Sequence, residues 1–336
     1  MRLEVIDTFG GLEQIRGEWA AFERTVEGRT PFQSPEWLLT WWRHFGSGEL
    51  QMLVFRAECA MAGVVPLFRH EWQGRRQLTL MGSGISDYLE PAIAPEHRNE
   101  VIERLRRYLV ESDDWDICDW QDMGRAAIAG LAAEAGSALT GIGRLQEDTP
   151  CSEIRLSGEF EEYWAHRSKD LRRNLKRYGQ RAEETGPIEF GVTCRADGGL
   201  IDELIRLHGD RWGKQGQPGM VAANRSGEFL REVAGEFERR GLLRIFALRL
   251  RGAVVAISIG FWDGVKLYSY LSAFDPRFEI LGFGRRLLYE SLRHAYEQRY
   301  SAWNFCRGEE AYKFSFGAER IAKYRLTLRR ADLGIS

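Results

Sequence analysis

The chain has 336 residues, 44% of them hydrophobic, with a net charge of −2. That length holds two domains and that apolar share fills ordinary cores, while the near-neutral balance supplies no global field to draw the chain onto nucleic acid. Five scattered cysteines without a CxxC pair and six histidines without an HxxxH pair exclude a disulfide scaffold and the commoner zinc sites, leaving a reducing compartment as the expectation.

In chain order, Met1–Asp7 lacks the apolar core of a signal peptide. Gln51–Arg56, Met61–Phe68 and Gln77–Met81 read as strands, the last after the turn Gly74-Arg75. Pro95–Val110 reads as a helix with Val101, Leu105 and Leu109 on one face, and Trp115–Trp120 as a further strand. Between Gly82 and Tyr88 lies Gly82-Ser83-Gly84-Ile85-Ser86-Asp87-Tyr88, where Asp87 either faces an acceptor or caps its loop.

A basic segment follows, assigned to a helix over 167–182. Leu171, Leu175, Tyr178 and Ala182 form one stripe, and the other faces are almost wholly basic. Arg172 and Arg173 lie there, with Asp170 as the counter-charge, so the helix reads either as a clamp for an anionic partner or as a solvated amphipathic face. A second helix is expected over Gly199–Trp212.

The C-terminal half repeats the first plan: strands Leu243–Leu250, Ala253–Trp262 and Val265–Phe274, a helix Gly284–Arg299, and a strand at Trp303–Cys306. Asp263-Gly264 between apolar runs is a strong hairpin signal. Two copies of one module say more than either alone. They differ where chemistry would sit. The second helix opens on Gly282-Phe283-Gly284-Arg285-Arg286, suited to hold an anion on backbone N–H groups with arginine support; the first opens on Ala94-Pro95-Glu96. No run approaches 18 apolar residues, so no membrane span is expected, and the expected localisation is cytoplasmic.

After the last strand comes the turn Arg307-Gly308, followed by Glu309, Glu310, Tyr312 and Lys313. Tyr312 is suited to protonate a leaving thiolate, and Lys313 to stabilise an oxyanion or bind an acceptor phosphate; the bland alternative is a surface helix. Glu309 or Glu310 can take a proton from an ammonium, or simply favour a helix N-terminus.

These pieces resemble the GNAT acyltransferase fold. The duplicated arrangement with Arg307-Gly308-x-Glu310-x-Tyr312-Lys313 and Phe316-Gly317 resembles the CelD-like (cellulose biosynthesis) acyltransferases, similar in plan to the Fem aminoacyl transferases. Further matching pieces are Phe32-Gln33-Ser34-Pro35-Glu36-Trp37, the Gly82–Tyr88 segment, Ser168–Leu175 and Leu207-His208-x-x-Arg211-Trp212. The resemblance implies an α/β (α+β) chain of two tandem GNAT-like modules, each a mixed, mainly antiparallel sheet flanked by helices. Their expected extents are 1–150 and 151–336, with the donor site in the second.

The implied reaction moves an acyl group from acyl-CoA or acetyl-CoA to an amine, with no metal. Gly282, Gly284, Arg285 and Arg286 would hold the donor, and backbone groups of Leu271, Ser272 and Ala273 would orient its thioester. Glu309, Glu310, Tyr312 and Lys313 would be catalytic. Asp87, Tyr88, Arg172, Arg173, Arg211, Trp212 and Arg307 would meet the acceptor, expected to be an anionic small molecule or a sugar or envelope precursor. One departure stands in the loop: GNAT phosphate loops read Q/R-x-x-G-x-G/A, whereas Glu279 stands near the turn here. Two alternatives are an aminoacyl-tRNA-dependent transferase, using the basic helix on RNA, and a non-catalytic module that binds coenzyme A or a precursor.

Overall fold

The computed structural model describes residues 1–125, 127, 143–214 and 224–333. The chain divides into two compact units, Met1–Pro150 with Ala322–Ser336, and Cys151–Ile321. Each is a mixed, mainly antiparallel sheet flanked by helices.

In the first unit, β1 (Arg2–Ile6), β2 (Glu49–Ala57), β3 (Ala60–Trp72) and β4 (Arg75–Leu80) run as an antiparallel meander. The short β5 (Ala92–Ile93) pairs with β3. Helix α3 (Arg98–Glu111) then carries the chain to β6 (Ile117–Met123), which lies parallel to β4. Val101, Leu105 and Leu109 of α3 are buried against Leu67, Leu78 and Trp120 of the sheet. The remaining helices are α1 (Phe9–Glu23) and α2 (Pro35–Phe45). The latter starts where Ser34 accepts the Trp37 N–H and Pro35 fills the first turn, where no N–H is needed.

The second unit repeats this order with β9 (Leu243–Leu250), β10 (Ala253–Trp262), β11 (Lys266–Phe274), α8 (Phe283–Glu297) and β12 (Ala302–Arg307). Strand β8 (Ile188–Thr193) pairs with β9 at one edge, and residues of β7 (Arg144–Arg155) with β12 at the other. Helices α6 (Gly198–Lys214), α7 (Asn224–Arg239) and α8 pack on β9–β11. That explains why β10 is buried nearly end to end and reads as a continuous apolar run. Leu287, Leu292 and Ala295 of α8 pack with Phe246, Ala256 and Trp303. Helices α4 (Phe160–Ala165) and α5 (Lys169–Thr185) precede the sheet, and the short α9 (Ala311–Ser315) follows β12.

The closing strand β13 (Glu319–Arg329) lies beyond the helices, and residues from Tyr324 onward pair with β6 of the first unit. Sequence reading did not find it, although Tyr324–Arg329 alternates between apolar and polar residues.

Candidate active site

The second unit's site begins with a defect in β11. Ile259 of β10 faces Leu271 and Gly260 faces Ser269, so Tyr270 is an extra, bulged residue. A bulge bends its strand and raises the local twist. The parallel ladder between β11 and β12 accordingly stops at Tyr268 and Asn304, although both strands run on. Strand β12 is bulged too. Asn304 faces Glu153 and Arg307 faces Cys151, and Cys306 takes a positive φ of 57°.

A partly buried polar chain fixes this second bulge. Lys266 pairs with Glu153 at 3.1 Å, Asn304 Nδ2 donates to Glu153 Oε2 at 3.1 Å, and the Cys306 N–H donates to Asn304 Oδ1 at 2.8 Å. Nearby, burial pushes the Tyr268 phenol well above its ordinary range, with Asp263 adding to the shift. Sequence reading passed over Asn304; an amide inside the apolar run Trp303–Cys306 was the available signal.

A cavity of about 330 Å³ adjoins the parted strands, lined by Ser272 and Phe274 of β11, Phe305 of β12, Tyr312 and the first turns of α8. Past the end of the β11–β12 ladder, alternate residues of β11 turn their N–H and C=O groups away from β10. Leu271, Ser272 and Ala273 lie in this stretch, and Ser272 lines the cavity.

Gly282 precedes α8 in the left-handed region at φ 65°, and a Cβ there would stand 2.9 Å from the Tyr178 ring, so glycine is required twice over. At Gly284 a Cβ would meet the Phe274 ring at 3.1 Å. Gly282 offers no side-chain cap, and the first-turn N–H groups of Phe283, Gly284 and Arg285 have no intrahelical acceptor. All three residues line the cavity. The preceding turn is held by Asp275, whose carboxyl is kept below the usual range by its hydrogen bonds to the Arg277 guanidinium and N–H.

The sequence-derived donor arginines part company here. Arg285 lines the cavity, as does Glu279. Arg286 pairs with Glu183 at 3.2 Å and lines a second concavity with Arg172, Lys176, Trp164 and Tyr289. Arg173 stands in solvent beside Asp170 at 2.7 Å.

Tyr312 is half-buried, edge-on to Phe305, with ring centroids 6.3 Å apart, and lines the cavity. Its neighbour Lys313 does not. Lys313 is 2% exposed, and its Nζ donates to the carbonyls of Phe305, Arg307 and Gly308 at 3.3, 2.7 and 3.2 Å and pairs with Glu310 at 2.9 Å. Where the sequence placed an ammonium in catalysis, the structure has a staple that ties the turn after β12 to α9. Glu310 is engaged by that staple, and Glu309 pairs with Arg320 at 3.1 Å. Arg307 is half-buried at the end of β12.

The first unit has the same defect. Its parallel ladder ends at Thr79 and Asp119, and Asp122 is bulged at φ 58° between residues that face Leu326 and Tyr324. Here the chain itself occupies the parting. The Leu89 N–H donates to the Asp122 carbonyl at 3.1 Å, Trp37 Nε1 to Ser86 Oγ at 2.8 Å, and Gln33 Nε2 to the Glu90 carbonyl at 3.0 Å.

Tyr88 is buried, stacked on Phe32 and covered by Lys323 Nζ 3.9 Å from its ring centre. Burial pushes the Glu90 carboxyl upward against the opposing charges of Lys323 and Arg98. Asp87 beside them is half-buried. The Phe32–Trp37 and Gly82–Tyr88 motifs are therefore two halves of one packed cluster. Lys323, on the unread strand β13, was missed altogether. The side chains of Arg211 and Trp212 lie outside the described residues.

Among the described residues no group of His, Cys, Asp and Glu could hold a metal ion, and no helix is long and apolar enough to cross a membrane.

The family model for the acetyltransferase (GNAT) domain matches residues 169–314. No curated protein matches the chain. Among solved structures, FemX aligns over 97% of each chain with a TM-score of 0.67 at 11% identity. A conserved protein of unknown function from Bacteroides thetaiotaomicron aligns over 98% of this chain and 100% of its own, with a TM-score of 0.61 at 14% identity. A tandem GNAT protein from the clavulanic acid biosynthesis pathway aligns over 100% of both, with a TM-score of 0.50 at 12% identity. These likenesses concern the fold. The parted strands, the uncapped helix start and Tyr312 all fall within 169–314, the stretch that matches the acetyltransferase (GNAT) domain model, in a chain whose fold is like that of a tandem GNAT protein.

Proposed function

We propose that the protein is an N-acyltransferase that takes its acyl group from a coenzyme A thioester and delivers it to an amine. One observation carries the reading: the cavity at the parted β11 and β12, with an uncapped helix start at one end and Tyr312 on its wall. The N–H groups of Phe283, Gly284 and Arg285, with the Arg285 guanidinium, would hold the pyrophosphate. Glu279 opposes it at the same mouth. Unpaired backbone groups of Leu271–Ala273 would orient the thioester.

When bound, coenzyme A supplies an activated acyl group and a thiolate leaving group. The amine nitrogen attacks the thioester carbonyl carbon and the carbon–sulfur bond breaks. The Tyr312 hydroxyl gives its proton to the departing sulfur. The proton lost by the amine goes to Glu309 or Glu310, directly or through water; the first is paired with Arg320 and the second with Lys313. Much of the rate comes from holding amine and thioester together. An anionic acceptor is supported by Arg172 and Lys176 in the second concavity, where Glu183 and Glu290 offset Arg286, and a sugar amine or precursor of the CelD-like kind is the acceptor class the sequence motifs favour.

A second reading, transfer from aminoacyl-tRNA, is favoured by Lys169, Arg173, Lys176, Arg177 and Arg181, which are exposed along α5. A thermal-shift panel with coenzyme A, its thioesters and charged tRNA separates the readings. A ligand at 100 times its Kd should stabilise the fold by about 2.7 kcal/mol. Stabilisation by thioesters, with thiol released when an amine is added, supports the first. Stabilisation by charged tRNA alone replaces it with the second. Thioester binding with no thiol release from any amine leaves a binding module.

A further inference from the structure

The side chains at the mouth of the cavity supply little positive charge for a pyrophosphate. Arg285 is the cation and Glu279 the acid among the lining residues, so the two cancel. A pyrophosphate brings a negative charge on each phosphorus, and the start of α8 offers about half an elementary charge against it. Arg286, the next residue along, does not make up the difference. It pairs with Glu183 at 3.2 Å and lines the second concavity.

Helix α5 packs against Pro276–Leu281, the stretch that leads into α8. Its Tyr178 ring lies against Gly282, where a Cβ would stand 2.9 Å from it. The Arg177 guanidinium lies over the same ring, 5.3 Å from its centre. One aromatic ring therefore separates this cation from the helix start. Arg177 is exposed and pairs with no acid among the described residues, whereas Arg173 pairs with Asp170 and Arg286 with Glu183. At 3.6 residues per turn it lies about 140° round α5 from Arg172, which lines the second concavity with Lys176. The helix thus has two basic edges. Arg181 follows Arg177 one turn later, also exposed, with Glu184 three residues beyond it. Like charges four residues apart repel in the free helix, and a bound anion relieves that repulsion.

Resting on the donor reading above, we propose that Arg177 binds the pyrophosphate of coenzyme A. Its guanidinium, laid on the Tyr178 ring, joins Arg285 and the first-turn N–H groups of α8 on the anion and outweighs Glu279. A guanidinium suits this place because its fork meets two phosphate oxygens at once. The donor class follows: a thioester that carries a whole pyrophosphate, in preference to a phosphopantetheine arm with its single phosphate. Helix α5 then serves the donor on the Arg177 edge and the acceptor on the Arg172 edge.

The test is titration calorimetry of the full chain with coenzyme A, dephospho-coenzyme A and 4′-phosphopantetheine, repeated on Arg177→Ala, Arg177→Lys and Lys169→Ala. Arg177→Ala should weaken coenzyme A and dephospho-coenzyme A alike, by about tenfold, and 4′-phosphopantetheine far less. Arg177→Lys keeps the charge without the fork and should recover part of the loss; it carries the test should the alanine variant fail to fold. Lys169→Ala removes the same charge eight residues earlier on α5 and should leave all three affinities unchanged. Unchanged coenzyme A affinity in Arg177→Ala overturns the proposal. So does a loss confined to coenzyme A, which would place Arg177 on the 3′-phosphate, or an equal loss for all three ligands, which would place it on the arm. An equal loss in Lys169→Ala would reduce the effect to a general field. Weakened binding of charged tRNA with coenzyme A binding intact would move Arg177 to an RNA face. These four outcomes leave the coenzyme A site itself standing. Failure of the wild type to bind coenzyme A removes the donor reading, and this proposal with it.

Discussion

In the first unit β4 and β6 separate after Thr79 and Asp119; in the second β11 and β12 separate after Tyr268 and Asn304. Each following strand carries a bulged residue in the left-handed region, Asp122 in one copy and Cys306 in the other. The difference lies in the connection to the crossover helix. From Leu80 to Arg98 it is long enough to fold back, and it seats Ser86, Tyr88 and Leu89 in the interior. From Phe274 to Phe283 it is a short 3₁₀ stretch, Pro276–Leu281, and a cavity adjoins it. One geometric defect is thus filled by core where the loop is long and adjoins a cavity where the loop is short. Bulges beside active sites are common for this reason: they end pairing without ending the strand.

The largest effect expected from breaking this contrast is on chemistry in the open copy. Tyr312→Phe keeps size and packing but removes the proton donor, and kcat should fall by roughly 10²- to 10⁴-fold with donor affinity little changed. Wild-type turnover in steady-state kinetics would remove Tyr312 from catalysis. Next is Lys313→Met, which leaves three carbonyls and Glu310 without their cation. The expected loss is about 3 kcal/mol in urea unfolding; unchanged stability with collapsed kcat would return the lysine to catalysis.

Emptying the filled copy with Leu89→Ala should destabilise by about 3 kcal/mol, because a side chain 2% exposed leaves a cavity, and should leave turnover near wild type. A large kcat loss at full folding would give the filled parting a functional part.

A smaller effect is expected from Arg172→Glu with Arg173→Glu. The acceptor's KM should rise about tenfold while the donor's holds, and a donor-side collapse would reverse the assignment.

The smallest concerns His294 on α8, which burial holds below its ordinary 6.5. On acidification the unfolded chain takes up the proton first, so this contribution is complete above 6.5 and declines as pH falls below it. With the ring half-exposed the change is well under about 1 kcal/mol. His294→Gln should flatten melting temperature between pH 7 and 5.5 slightly; an unchanged slope would assign that dependence elsewhere.

What the sequence disclosed was local. The Asp263-Gly264 turn was readable because Asp263 Oδ1 accepts from the N–H groups of Val265 and Lys266, a contact made within four residues. The helix start at Gly282 was readable for the same reason, and Tyr312 followed from its place after a strand. The bulge at Tyr270 was not readable, because it exists only in the register with β10. Lys313 read as a catalytic or phosphate-binding ammonium, and its burial depends on carbonyls that the turn gathers around it. Arg285 and Arg286 read as a pair, yet they leave the helix in different directions and line different concavities. Lys323 was hidden because it stands before the alternating stretch Tyr324–Arg329, and its place over Tyr88 depends on a contact made across more than 200 residues.

The return of β13 also has a consequence for synthesis. The partner that β6 needs lies beyond the whole of the second unit. At about 5–20 residues per second, roughly 170 residues must emerge over something like ten to thirty seconds before that edge can be covered. Through this interval the nascent first unit carries an open strand edge and lacks the lysine that balances Glu90, which makes it a natural client for chaperones and a poor choice for expression as a fragment ending at Pro150.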